Sequence, residues 1–151
     1  MNPTTRGYYS IIQYCPDPSR LEAVNIGIAL FCPEVKFLKA AFGRRRIHVE
    51  RLFGKQDWEF FELQKTALKA RLSPQNDEFQ ELTDLEEFVA KRVGSFRLTP
   101  PRPVKVMDPT MELKDLLSRL VGNSAKPKPI PPRNPTRPAS ENLPTTASAP
   151  R

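Results

Sequence analysis

Two polar side chains stand inside an otherwise apolar stretch of the chain and are the first candidates for chemistry. Glu22 and Asn25 belong to the segment Leu21-Glu-Ala-Val-Asn-Ile-Gly-Ile-Ala-Leu-Phe31. A carboxylate and an amide at the start of a strand could hold a ligand or take part in acid–base catalysis. They could instead hydrogen-bond the backbone of the preceding Pro-Asp-Pro turn. The sequence favours this structural role, because no second carboxylate or base is visibly paired with them.

The two thiols and the single imidazole do not form a recognisable site. Cys15 and Cys32 lie in apolar strand segments, where a thiol usually packs and its pKa tends to rise. His48 is the only histidine, and neither cysteine stands at a metal-ligand spacing from it. We therefore expect no metal site, no cofactor and no cysteine nucleophile. Two thiols without a disulfide framework are typical of a reducing cytoplasm.

A basic cluster, Arg44-Arg45-Arg46, is the densest in the part of the chain that we expect to fold. With Arg51 it could contact phosphates, which would give salt-dependent nucleic-acid or phosphate binding. The net charge of the whole chain is +7, but more than half of this excess lies beyond residue 122. The part of the chain before residue 123 is only mildly basic. The favoured interpretation is therefore that the arginine cluster is a solvent-exposed connection between two elements, partly neutralised by Glu50.

The first strands are predicted by alternation and by turn residues. Tyr8–Cys15 is rich in tyrosine and isoleucine, and the following Pro-Asp-Pro must end it. The second strand should place its large aliphatic residues on one face and its smaller or polar residues largely on the other. The first face would hold Val24, Ile26, Ile28 and Leu30, and the second Asn25, Gly27, Ala29 and Phe31. A third strand at Val35–Phe42 would complete an antiparallel meander.

Helices are predicted from capping residues and apolar spacing. Asp57 should cap a helix over Trp58–Leu72, and Thr83 with Glu86 has capping-box spacing for the next one. The last helix should begin at Asp108-Pro109 and end at Gly122. The segment around Ile47–Phe53 fits either a short helix or an extended stretch.

These elements, with short strand candidates at Phe96–Leu98 and Val104–Val106, predict an α+β fold. We expect a mainly antiparallel sheet of three to five strands packed with two or three helices. Residues 5–122 would form this small domain. Residues 123–151 are basic and rich in proline, and they cannot bury enough apolar surface to order, so a disordered tail is expected. Its overlapping P-x-x-P units could bind an aromatic groove or merely keep the protein soluble.

The block Tyr8–Phe31, with its Pro-Asp-Pro turn and Glu-Ala-Val-Asn-Ile-Gly run, resembles the N-terminal signature of a bacterial family known only as a domain of unknown function. The Thr99-Pro-Pro-Arg-Pro-Val segment and the Asp108-Pro109 helix resemble its C-terminal end. The resemblance covers about residues 7–121. It implies a small cytoplasmic bacterial protein without an established activity, cofactor or set of catalytic residues. It also suggests a protein partner, because some members of the family are encoded beside kinase-like proteins of toxin–antitoxin type.

The sequence has no Gly-rich phosphate loop, no G-x-S-x-G elbow and no H-E-x-x-H motif. Its longest apolar-rich run, Val24–Phe31, is too short to span a bilayer. We therefore expect a non-enzymatic accessory module that binds another protein in the cytoplasm. Nucleic-acid or phosphate binding through Arg44, Arg45, Arg46 and the tail is the first alternative. An enzyme that uses Glu22 and Asn25 is the second.

Overall fold

The computed structural model describes residues 3–44, 46–92 and 94–122. The expected tail at 123–151 and Arg45 lie outside the described residues, so the predictions for them remain predictions. The elements follow in chain order: β1 (Thr5–Tyr14), β2 (Val24–Cys32), β3 (Phe37–Phe42), α1 (Arg46–Phe53), α2 (Trp58–Arg71), α3 (Leu82–Lys91), β4 (Phe96–Leu98), β5 (Arg102–Val106) and α4 (Pro109–Leu120).

The five strands form one antiparallel sheet, and the α+β prediction is confirmed. The strand order is β3-β2-β1-β4, and β5 also pairs with β1. The two short strands share the same side of β1: β4 pairs with Ile12–Tyr14 and β5 with Thr5–Tyr9. The long hairpin of β1 and β2 is therefore the centre of the sheet, with β3 at one edge.

A β-bulge in β2 overturns the predicted division of that strand into two continuous faces. Ile12 pairs with Gly27 but the next residue, Gln13, pairs with Asn25, so Ile26 is an extra residue without a partner. A bulge of this kind reverses which side chains point to which face. Val24 and Ile26 share one face with Ala29 and Phe31, whereas Ile28, Leu30 and Cys32 point to the other.

Helices cover both faces of the sheet, so each face has its own apolar core. The larger core lies under α1, α2 and α3 and contains Ile12, Tyr14, Phe61, Leu68, Leu85, Phe88 and Phe96. The smaller core lies under α4 and contains Ile28, Leu30, Cys32, Val106, Leu113, Leu116 and Val121. Both faces of β2 are thus buried, which explains why its sequence is apolar almost throughout.

The capping chemistry explains where the helices begin. Asp57 accepts the Phe60 amide at the start of α2, and Asp108 accepts the amides of the first turn of α4, as predicted. The capping box of α3 is formed by Glu81 and Asp84, two residues before the predicted pair. The Asp84 carboxylate takes the part of the glutamate in such a pair by accepting the Glu81 backbone amide at 2.9 Å.

Residues 3–44, 46–92 and 94–122 contain four α-helices, one more than the two or three expected, because the ambiguous segment after Gly43 is helical as α1. In the part of the chain that the structure describes, none of these helices has the length and apolar character needed to cross a bilayer.

Candidate functional site

Asn25 lies between the centre of the sheet and the end of α4, and its side chain joins the two. Its Nδ2 donates to the carbonyl oxygen of Leu120 at 3.1 Å, and its Oδ1 accepts from Nε2 of Gln13 at 2.9 Å. The last carbonyls of a helix have no partner inside the helix, so a side chain that reaches them satisfies a buried polar group. Asn25 thus makes structural contacts, but its partners are Gln13 and Leu120 and not the backbone of the Pro-Asp-Pro turn that the sequence favoured.

Arg44 also connects the sheet with the end of α4. Its Nε donates to the carbonyl oxygen of Asn25 at 2.7 Å, and one terminal nitrogen donates to the carbonyl oxygen of Val121 at 2.8 Å. Gly43 lies so close to Gly122 that an added Cβ would stand 2.9 Å from the Gly122 carbonyl oxygen. We call Gln13, Asn25 and Arg44 the α4 latch, since their polar contacts hold the end of α4 against the sheet.

Glu22 is not brought together with Asn25 by any shared hydrogen bond. It lies in the connection between β1 and β2 and forms an ion pair with Arg20 at 3.0 Å, with both side chains more than half exposed. It lines a depression of about 260 Å³ beside Leu52 and Phe53 of α1. Two side chains with separate partners give no geometric support to a joint acid–base role.

The other described member of the basic cluster is also engaged in contacts within the chain. Arg46 forms an ion pair with Glu62 at 3.0 Å and stacks on the Trp58 ring, 5.2 Å from its centroid. Together with the role of Arg44 in the latch, this leaves less free positive charge than the sequence suggests. Nucleic-acid binding stays a prediction, and a test of it must leave Arg44 intact.

Both cysteines are buried free thiols. Burial, with a smaller contribution from nearby Glu112, raises the pKa of the Cys32 thiol to about 11. A thiol in this state is a poor nucleophile. Over residues 3–44, 46–92 and 94–122, no three His, Cys, Asp or Glu side chains cluster in a way that could hold a metal ion.

The Gly27 and Ala29 side of β2 and the leucine-rich face of α4 are inside the molecule. Gly27 and Ala29 are buried, and Leu113 and Leu116 of α4 pack on the sheet. The exposed apolar side chains are elsewhere. Phe60 and Leu63 are 52% and 66% exposed on the outward side of α2. Residues three apart in a helix are neighbours, so these two side chains form one patch.

We call Phe60 and Leu63, with the exposed residues Ala67 and Ala70 one and two turns further along, the α2 outer face. A shallow groove of about 540 Å³ runs along its N-terminal part, and Asp57, Glu59 and Glu62 line it. The sequence contained a signal for this face, because the apolar residues of α2 span more than one side of a helix. Of these apolar residues only Phe61 and Leu68 are buried within α2.

The comparisons with known proteins agree with this picture of a domain whose chemistry is not defined. Neither the curated proteins nor the solved structures include a match to this chain. Residues 9–121 match the family described as Protein of unknown function (DUF3037). The matched segment begins in β1, ends at the residue after α4, and so includes the whole α4 latch. The chain belongs to this family of proteins of unknown function.

Proposed function

We propose that this protein is a non-enzymatic accessory module that binds another protein through the α2 outer face. The observation that carries the proposal is the pair Phe60 and Leu63, two large apolar side chains left more than half exposed on adjacent turns of one helix. Contiguous exposed apolar patches with polar rims mark interaction surfaces more often than isolated exposed side chains do.

The charges around the patch indicate which charges a partner surface should carry. Asp57 and Glu59 are exposed beside Phe60, whereas Glu62 is engaged by Arg46 and Lys65. Asp57 caps α2, so Glu59 is the carboxylate at this end of the helix that has no ion pair within the described part of the chain. A partner that fits has an apolar anchor for the groove and lysine or arginine side chains around it. A kinase-like protein, the class that the family resemblance implies, is the first class to test for such a surface.

The test compares partner capture by the full-length chain and by two matched double variants. Phe60→Ser with Leu63→Ser removes the patch. Met107→Ser with Met111→Ser removes two side chains of similar exposure, 62% and 60%, at the start of α4. Because α4 covers the opposite face of the sheet, the second variant controls for a general loss of surface hydrophobicity.

The proposal predicts that one partner co-purifies in a fixed ratio with the wild type and with the methionine variant. The phenylalanine–leucine variant should lose it, while its unfolding midpoint stays close to that of the wild type, since the mutated side chains are exposed. Recovery of the same partner by all three proteins would place the binding surface elsewhere. No stoichiometric partner for the wild type would contradict the protein-binding role itself.

A further inference from the structure

A second concave site lies at the opposite end of α2 and has different chemistry. It is a depression of about 300 Å³ between the end of α2, the loop that follows and α3. Arg71, Lys91 and Arg92 contribute its positive charges, and the Phe88 ring contributes an apolar wall. This site shares no lining residue with the groove on the α2 outer face.

Arg92 is the unusual member of the group. Its Nε has no contact with solvent and no hydrogen-bond acceptor among the described residues. One terminal nitrogen donates to the carbonyl oxygen of Phe96, but the distance is long at 3.4 Å. A guanidinium that is partly removed from water and poorly hydrogen-bonded lowers the stability of the fold. Native structures contain few such groups, and a bound water, ion or ligand is their usual partner.

Arg71 increases the free-energy cost of keeping the Arg92 guanidinium charged and partly buried. The guanidinium carbons of Arg71 and Arg92 lie 4.9 and 5.5 Å from the centroid of the same Phe88 ring. Burial and the charge of Arg71 both lower the pKa of Arg92. An anion bound to the Arg92 guanidinium would offset this repulsion and accept hydrogen bonds from it.

The carboxylates around the site do not already fill this role. Glu78 binds Arg71 through two hydrogen bonds of 3.2 and 2.7 Å. Asp84 accepts the backbone amides of Gln80 and Glu81 at the start of α3. Glu87 is exposed and has no ion pair within the described part of the chain. The lining thus has three positive and three negative side chains and no net charge, but of the carboxylates only Glu87 has no hydrogen bond or ion pair within the described part of the chain.

We propose that this depression binds the oxyanion group of a small ligand, a carboxylate or a phosphate. The planar guanidinium of Arg92 would hold two of its oxygens, a geometry that arginine provides and lysine does not. Lys91 would add positive charge, Arg71 would stay paired with Glu78, and Phe88 would contact an apolar part of the ligand. The volume of the site restricts the ligand to a small molecule or to a single terminal group of a larger one.

The test measures the thermal unfolding midpoint of the full-length chain in inorganic phosphate, in acetate and in sodium chloride at equal ionic strength. A ligand that binds only the folded state raises the midpoint in a saturable manner. We expect a saturable rise in phosphate or acetate that exceeds the effect of chloride. Saturation in phosphate alone identifies a phosphate group, and saturation in acetate alone identifies a carboxylate.

Three variants make the test specific. Arg92→Met keeps an unbranched apolar chain but removes the guanidinium, and it should weaken the anion affinity by about tenfold or more, the loss of one charge-assisted contact. It should not lower the midpoint measured in chloride, because it removes an unpaired charge. Arg92→Lys should bind more weakly than the wild type, since it loses the two-point geometry. Arg119→Met, which breaks an exposed ion pair with Asp115 on α4, should respond as the wild type does.

Two results would overturn the proposal. The first is an equal response of the wild type and Arg92→Met to every anion, which would indicate a general salt effect. The second is a large loss of stability in Arg92→Met in chloride, which would show that Arg92 has a structural role.

Discussion

At the scale of single residues, the two polar side chains of the signature segment differ in what they hold together. Asn25 connects the sheet with the last turn of α4, and its partners Gln13 and Leu120 depend on it for their hydrogen bonds. Glu22 has only the exposed partner Arg20. The structure therefore separates two residues that lie three positions apart in the sequence.

This difference predicts unequal costs of mutation. Asn25→Ala should lower the free energy of unfolding by about 1–3 kcal/mol, because it leaves a part-buried carbonyl and amide without partners. Glu22→Ala should change it by less than about 0.5 kcal/mol, as is usual for an exposed ion pair. Urea unfolding of both variants measures the two values. Equal losses would contradict the latch.

Cys32 provides a prediction about pH. The folded state keeps the thiol protonated up to a pKa of about 11, whereas the ordinary value is 9.0. Between these two pH values the unfolded chain releases the proton and the folded chain retains it. The stability therefore falls as the pH rises through this range.

The measurement for Cys32 is the urea midpoint of the wild type and of Cys32→Ala at several pH values from 8 to 11. The difference between the two proteins isolates the thiol, because the pKa of Tyr14 is also raised by burial and contributes to both. The wild type should lose stability more steeply than the variant above pH 9. Parallel curves would show that the burial of the thiol does not affect its ionisation.

At the scale of elements, the bulge in β2 determines which side chains reach each core. Gly27 follows the extra residue Ile26, and a Cβ at Gly27 would lie 2.6 Å from the carbonyl oxygen of Ala41 and 2.9 Å from the Phe42 ring. β3 can approach the bulged strand only because no side chain stands there.

Gly27→Ala should therefore lower the free energy of unfolding by about 3 kcal/mol or more, because the closest atom belongs to the backbone and cannot move freely. Gly54→Ala is the matched control. Gly54 has a φ of +83° but no atom within 4 Å of an added Cβ, so it should lose only about 1 kcal/mol to backbone strain. A Gly27→Ala protein as stable as the control would contradict the close approach.

The elements also show what the sequence can and cannot predict. The strands β1 to β3 and the helix α4 were predictable, because their alternation, caps and helical spacing are local patterns. The bulge was not predictable, since the largely apolar segment Val24–Cys32 fits an unbroken strand equally well. The α4 latch was not predictable either, because Asn25 and Leu120 are 95 positions apart in the chain.

At the scale of the whole molecule, the two cores share the β1–β2 hairpin. Tyr8, Ile12 and Tyr14 of β1 face the larger core, while Tyr9 and Ile11 face the smaller one. Neither layer of helices can separate without exposing one face of the same two strands. We therefore expect one cooperative unfolding transition for the described part of the chain.

The variant Leu116→Ala tests this cooperativity from the side of α4. Leu116 is buried in the smaller core, and its truncation should cost about 2–5 kcal/mol. Trp58, the only tryptophan, lies in α2 on the opposite side of the sheet. Its fluorescence and the far-UV circular dichroism should give the same shifted midpoint. A fluorescence transition that keeps the wild-type midpoint would mean that the two layers unfold independently.

In the molecule as a whole, the residues that stabilise the fold differ from those on the surface that is available for function. The signature residues of β1, β2 and α4 are mostly buried or engaged in the latch, whereas the α2 outer face is exposed and has no partner in the described part of the chain. The sequence predicted a protein partner but not this surface. Burial depends on how the helix is rotated against the sheet, and a helix with apolar residues around most of its circumference does not specify that rotation.

The most direct test of the proposed protein-binding role is site-specific photocrosslinking in the full-length protein inside the cell. A photoreactive residue replaces Leu63 on the α2 outer face in one protein and Met111 on the opposite side of the sheet in another. We predict a discrete crosslinked species, containing one copy of a partner protein, from position 63 and none from position 111. No crosslink at position 63, or the same species from both positions, would contradict binding through the α2 outer face.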